Sequence, residues 1–182
     1  ALLTKVKTTT ETCDSTGSTG LEIYDTFGTF SKTEVTTTTN YNGNNKPGVV
    51  KDVATETTSG GRDIFGGTWG SLLVIDSTNN TLPAQMKPTK LTTTYKQSGN
   101  YWAIDADKLV IDLKSQEPGI SFGKDFYGNY TKTTTQNVDA IAVSGRALLS
   151  KVKTTTETCD ITGNTGLEIY DTFGTFSKTE VT

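Results

Sequence analysis

The chain has no histidine, one methionine, two cysteines and four prolines in 182 residues. Each shortage removes a class of chemistry. Without His there is no Ser-His-Asp or Cys-His relay, because the proton-carrying base of those sites is missing. One Cys per repeated unit and no His cannot assemble a zinc site. Lys and Arg number 17 against 20 Asp and Glu, a net charge of −3. No basic run exists, so nucleic acid is not an expected partner. No apolar stretch approaches the ~18 residues of a membrane-spanning helix, and no membrane insertion is expected. No initiator Met or signal peptide is present, which fits a mature or excerpted chain. Segments with the helical 3.6-residue period are absent too.

What is present is threonine, 38 of the 182 residues, with 18 Gly and many Asn. Thr is β-branched and favours strands. A surface that is polar without being charged suits an extracellular or cell-surface protein. Short alternating segments recur about every 10–14 residues between Gly-, Asn- and Pro-containing turns, the pattern of a β-sandwich or barrel. The predicted fold is all-β, an antiparallel sandwich of immunoglobulin-like or jelly-roll-like type. Predicted strands include 4–13, 21–30, 32–39, 49–58, 71–76, 90–96, 101–105 and 108–113, with 120–135 and 138–143 after them.

The organising feature is a repeat. Residues 1–36 and 147–182 differ only at Thr4/Ser150, Ser15/Ile161 and Ser18/Asn164. The offset of 146 residues is the size of a domain rather than of a solenoid unit. The chain therefore divides into a first copy (1–36), a body (37–146) and a second copy (147–182). Ala1 falls in phase with Ala147 and Thr182 with Thr36, so both ends read as cuts through a longer periodic sequence. A 36-residue segment is too short to bury a core alone. It is expected to complete the body or to pair with a neighbour, so that terminal strands are shared between modules or subunits. Residues assigned to this joint are Val6, Thr8, Thr10, Cys13, Leu21, Ile23, Tyr24 and Phe27 in the first copy. In the second they are Val152, Cys159, Ile161, Leu167, Ile169 and Phe173. Ser15/Ile161 is the one difference that changes polarity sharply, so position 161 is expected to touch an apolar surface that position 15 does not.

Cys13 and Cys159 are one position seen twice. They are read as small buried hydrophobes, with a cross-link between subunits as the alternative. Aromatic residues recur beside glycine at 27–30, 65–69 and 122–128. They are read as core anchors at bends, the alternative being an exposed platform for sugar rings formed by Trp69, Tyr101 or Trp102. Asp105, Asp107 and Asp112 cluster in sequence, but paired Asp residues mark a solvated turn more readily than a hydrolytic carboxylate pair. No cofactor is expected; a structural calcium on these residues with Asp76 or Asp14 is the alternative. The reading is a non-enzymatic structural module of an extracellular fibre, filament or adhesin. Its partner is itself, head to tail, with surface glycans as the second candidate.

Overall fold

The computed structural model describes residues 2–20, 23–25, 27–41, 48, 50–70, 85–95, 109–111, 117–143 and 146–182. It is all-β. The described residues form ten strands: β1 (Lys5–Glu11), β2 (Phe30–Tyr41), β3 (Val50–Arg62), β4 (Thr68–Gly70), β5 (Thr89–Tyr95), β6 (Leu109–Ile111), β7 (Gly119–Lys124), β8 (Tyr130–Val143), β9 (Arg146–Cys159) and β10 (Lys178–Val181). All belong to one open antiparallel sheet, in the order β1-β2-β3-β4-β7-β8-β9-β10, with β5 beside β3 and β6 beside β5. The predicted strands at 71–76 and 101–105 and the Ser98-Gly-Asn hairpin lie outside the described residues.

The long strands are Thr-rich, and an extended Thr backbone loses little side-chain freedom. β3 is long enough to take two partners on one side: β4 against 60–62 and β5 against 52–57. β4 and β5 thus lie end to end as one row. β6 and β7 form the next, paired to β5 and β4 respectively and helped by a Lys87–Ile120 bridge. The sheet is an up-and-down meander eight rows wide.

One end of this meander is built from a single motif used six times. Asp-X-X-Gly-X begins at Asp14, Asp25, Asp63, Asp125, Asp160 and Asp171. In each, the Asp N–H donates to the carbonyl of the fifth residue, and the Gly N–H donates back to the Asp carbonyl. The fourth position needs positive φ, 74–88° in these turns, which Gly adopts without strain. The Asp carboxylate accepts the N–H of the fifth residue in every case. This is the local bonding that makes Asp a turn former.

The motif overturns the predicted strand at 21–30 and its counterpart in the second copy. Residues 23–25 and 167–177 are irregular, and β2 begins only at Phe30. Asp25 Oδ1 holds the Phe27 and Thr29 N–H groups at 2.9 Å, so those groups are engaged within the turn and not in a ladder. The aromatic expectation is corrected in part. The third turn position points away from the sheet, so Phe27, Phe65 and Tyr127 are exposed, as is Phe126; Phe27 is 79% accessible. Among the described residues the buried aromatics, Phe30 and Phe122, lie within strands. Phe122 (1% accessible), Phe30 and Cys159 are the buried hydrophobics among the described residues. Met86, Ile120 and Tyr130 pack on the Phe122–Cys159 cluster.

The carboxylate turns at Asp14, Asp25, Asp160 and Asp171 have a pH consequence. The Thr16 hydroxyl on Asp14, the Thr29 hydroxyl on Asp25 and the Thr175 hydroxyl on Asp171 hold these carboxyls below the ordinary 3.8. At Asp160 partial burial pushes upward but is outweighed by bonds from Thr162 and Asn164. A depressed native value means stability that is present above 3.8 and lost as the pH falls through the lower native values. Resistance to denaturant is therefore expected to hold until the pH nears 3.8 and to decline below it. In a denaturation series, Asp25→Asn together with Asp171→Asn should flatten that decline, because Asn keeps the acceptor oxygen but does not titrate.

Candidate functional site

The two copies of the repeat form the two opposite edges of the sheet. β1 is one outer strand and β10 the other. Inside each copy the construction is the same. Glu11 faces Lys32 and Thr8 faces Val35; Glu157 faces Lys178 and Thr154 faces Val181, every number displaced by 146. Lys32–Glu11 (2.8 Å) and Lys7–Glu34 (2.9 Å) recur as Lys178–Glu157 and Lys153–Glu180, both 2.9 Å. The Cys13–Thr19 bridge recurs as Cys159–Thr165. The Thr12 N–H to Ser31 carbonyl bond (2.9 Å) recurs from Thr158 to Ser177 at 3.0 Å. Local sequence alone fixes this much.

The surroundings differ, and they differ in complementary ways. In the first copy β2 is covered by β3 along twelve paired residues, from Phe30–Arg62 to Tyr41–Val50. Arg62 reaches back to the Tyr24 hydroxyl at 2.5 Å, its guanidinium 5.6 Å from the ring centre. The equivalent Tyr170 is 55% exposed. In the second copy β9 is covered by β8, from Tyr130–Cys159 to Val143–Arg146. The Asn129 side-chain oxygen there accepts from the Thr172 N–H (2.8 Å) and hydroxyl (2.6 Å), and Tyr127 meets Phe173 edge to face at 5.3 Å. Gln85 donates to the Thr162 carbonyl at 2.6 Å. Among the described residues, no strand covers the outer side of β1 or of β10. Each copy has the neighbour that the other lacks.

The residues expected at a joint have mixed surroundings. Val6, Thr8 and Thr10 alternate on one face of β1 and are exposed, while Val152 in the covered strand is half-buried. Ile23, Tyr24 and Ile169 are half-buried; Leu167 and Phe173 are exposed. Leu21 lies outside the described residues. Ile161 is 37% exposed, so the apolar contact expected there is not a burial. Equivalent sequence does not give equivalent environment: Cys13 is exposed and Cys159 is 3% exposed. Both thiols are free. Burial and the neighbouring Asp160 push the Cys159 thiol up to about 12.

Trp69 sits on the opposite face of the sheet from Phe122. Its six-membered ring lies over Gly61, where an added Cβ would meet Cε2 and Cζ2 at 2.6 Å, and Gly123 adjoins its Cβ. The indole remains 41% exposed. Tyr101, Trp102, Asp76, Asp105, Asp107 and Asp112 lie outside the described residues. Asp14 is occupied as a turn acceptor. The described residues hold no group of three or more His, Cys, Asp or Glu side chains able to bind a metal. Comparison of the chain with protein families, curated proteins and solved structures finds no match.

Self-comparison of the sequence delimits the two copies but not the residues that distinguish their surroundings. Arg62, Asn129 and Gln85 lie in the body, and nothing local marks them as contacts of the repeat. The Asp-X-X-Gly spacing was a usable signal for the turns that place Arg62 and Asn129.

The difference between the two cysteines can be measured directly. In the folded chain one thiol, Cys13, should react rapidly with a thiol reagent. Cys159 should react only after denaturation, because it is buried and little of it is thiolate. Mapping the label by peptide mass analysis checks the assignment; rapid labelling of Cys159 in the folded chain would contradict it.

Proposed function

We propose that the chain is a structural module of an extracellular or cell-surface fibre, joined by strand addition between near-identical units. The observation that carries this reading is the repeat itself. Two segments with one internal register occupy opposite edges, and each lacks a neighbour that the other possesses. An uncovered strand presents unpaired N–H and C=O groups, which another chain can satisfy. A head-to-tail contact of this kind propagates instead of closing. The Thr-rich, weakly charged surface suits an extracellular setting.

Magnitudes set the expected strength. A joint at β10 offers a handful of main-chain hydrogen bonds, each worth roughly 1 kcal/mol net. Association itself costs roughly 4–15 kcal/mol. A single joint is therefore weak, and tethering of many units, which raises effective concentration, would be what makes a fibre durable.

Sedimentation velocity of the whole chain over a wide concentration range tests the reading. Growing head-to-tail species, seen as filaments by electron microscopy, are expected at high concentration. A monomer at every concentration, unaffected by deleting residues 1–36, would contradict it.

A second reading has one observation in its favour. Trp69 presents a half-exposed indole beside glycines, a shape on which a sugar ring can stack. Binding to a glycan array that is lost in Trp69→Ala would support an adhesin role; an array without hits removes it.

A further inference from the structure

We infer that the partner of the β10 edge is the β1 edge of a second copy of this chain, paired antiparallel with Lys178 opposite Glu11 and Glu180 opposite Thr9. This rests on the fibre reading above and adds its partner strand and register.

The Thr39 N–H donates to the Thr4 carbonyl and the Thr12 N–H to the Ser31 carbonyl. Even-numbered residues of β1 therefore turn their main-chain groups toward β2, and Lys5, Lys7, Thr9 and Glu11 turn theirs outward, because these groups alternate along a strand. On the other edge the Ser177 carbonyl accepts from the Thr158 N–H. Thr179 and Val181 therefore face β9, while Lys178 and Glu180 face outward. The two outward sets can pair directly.

Face and direction also agree. Glu11 and Lys7 lie on the face of Lys32 and Glu34, with which they form ion pairs. Lys178 and Glu180 lie on the corresponding face, paired to Glu157 and Lys153. β10 runs antiparallel to β9 and β1 antiparallel to β2. Since β9 and β1 are copies of each other, a flush continuation of the sheet sets β1 antiparallel to β10.

Charge then selects the register. Within the chain, Lys132 faces Glu157, which faces Lys178. At the opposite edge Glu11 faces Lys32. Placing Lys178 beside Glu11 extends the alternation through the joint as Lys132, Glu157, Lys178, Glu11, Lys32. The same level is kept across the intervening strands: Lys32 faces Gly60 and Gly60 faces Gly70, while Phe122 faces Lys132. The turn end of the sheet therefore stays flush. A slip of two residues that sets Glu180 against Glu11 opposes like charges. The opposite slip, Glu180 against Lys7, breaks the level and is the competitor to exclude.

Disulfide trapping in a Cys13→Ser background separates these registers. In the inferred register Thr179 stands opposite Thr10, a pair with close side chains because its main-chain groups point away from the joint. A Thr10→Cys chain mixed with a Thr179→Cys chain should cross-link about tenfold faster than a Thr8→Cys chain mixed with the same partner. Equal or reversed rates would overturn the register. Thr9→Pro provides an independent arm. It removes an outward N–H and no bond to β2, and proline is tolerated at a sheet edge. It should raise the concentration needed for assembly about tenfold while leaving the circular dichroism of the dilute chain unchanged. Normal assembly of Thr9→Pro would overturn the inference while leaving the fibre reading standing. Absence of assembly in the parent chain would overturn both. In filaments built this way the eight rows should give an axial repeat of about 38 Å.

Discussion

Main-chain hydrogen bonding between strands is the interaction on which the described sheet depends. Among the described residues only Phe30, Phe122 and Cys159 are buried hydrophobics, so apolar burial is a small part of what holds the described strands together. The ladders are long instead: β2 with β3 and β8 with β9 each run the length of their strands. Ladder hydrogen bonds are modest individually, and leaving them unmade is costly only where water cannot reach. An open sheet held in this way is extended easily, because adding a strand repeats the interaction that already holds it together.

That constraint explains why the repeat sits where it does. A strand in mid-sheet needs a neighbour on each side. Each copy of the repeat provides one paired unit, a strand and its antiparallel mate, and supplies from within the chain only one of the two outer neighbours. The body supplies β3 to the first copy and β8 to the second. The accessory contacts sort in the same way, with Arg62 on Tyr24 at one side and Asn129 on Thr172 at the other. The cysteine position reports the same division: its thiol is covered where β8 is present and open where it is not.

The strands were legible in the sequence wherever period-2 alternation carried both faces. β1, with Val6, Thr8 and Thr10 opposed to Lys5, Lys7 and Glu11, is the clearest case, and the repeat boundaries came directly from self-comparison. The aromatic–glycine segments misled because composition does not say whether a ring lies in a strand or on a turn. Phe30 and Phe122 lie in strands and are buried; Phe27 and Tyr127 occupy the third position of Asp-X-X-Gly turns and project outward. The deciding residue is the Asp two positions earlier, whose carboxylate captures the N–H groups that a strand would have used. Strand density alone predicts an all-β antiparallel fold, and the ten described strands are hydrogen-bonded into one open sheet. Spacing along a chain counts strands without saying which edges meet. The contacts of Arg62, Asn129 and Gln85 with the repeat were invisible for the same reason, since they connect residues 38–77 positions apart.

The most direct test of the account is amide hydrogen exchange, residue by residue, in dilute and in assembled protein. The outward amides of Lys7, Thr9, Lys178 and Glu180 should exchange rapidly in the dilute chain and become protected on assembly. The inward amides of Thr8 and Thr10 should be slow in both. Protection of the outward amides already in the dilute monomer, or their continued rapid exchange in assembled material, would contradict the claim that these two edges complete one another.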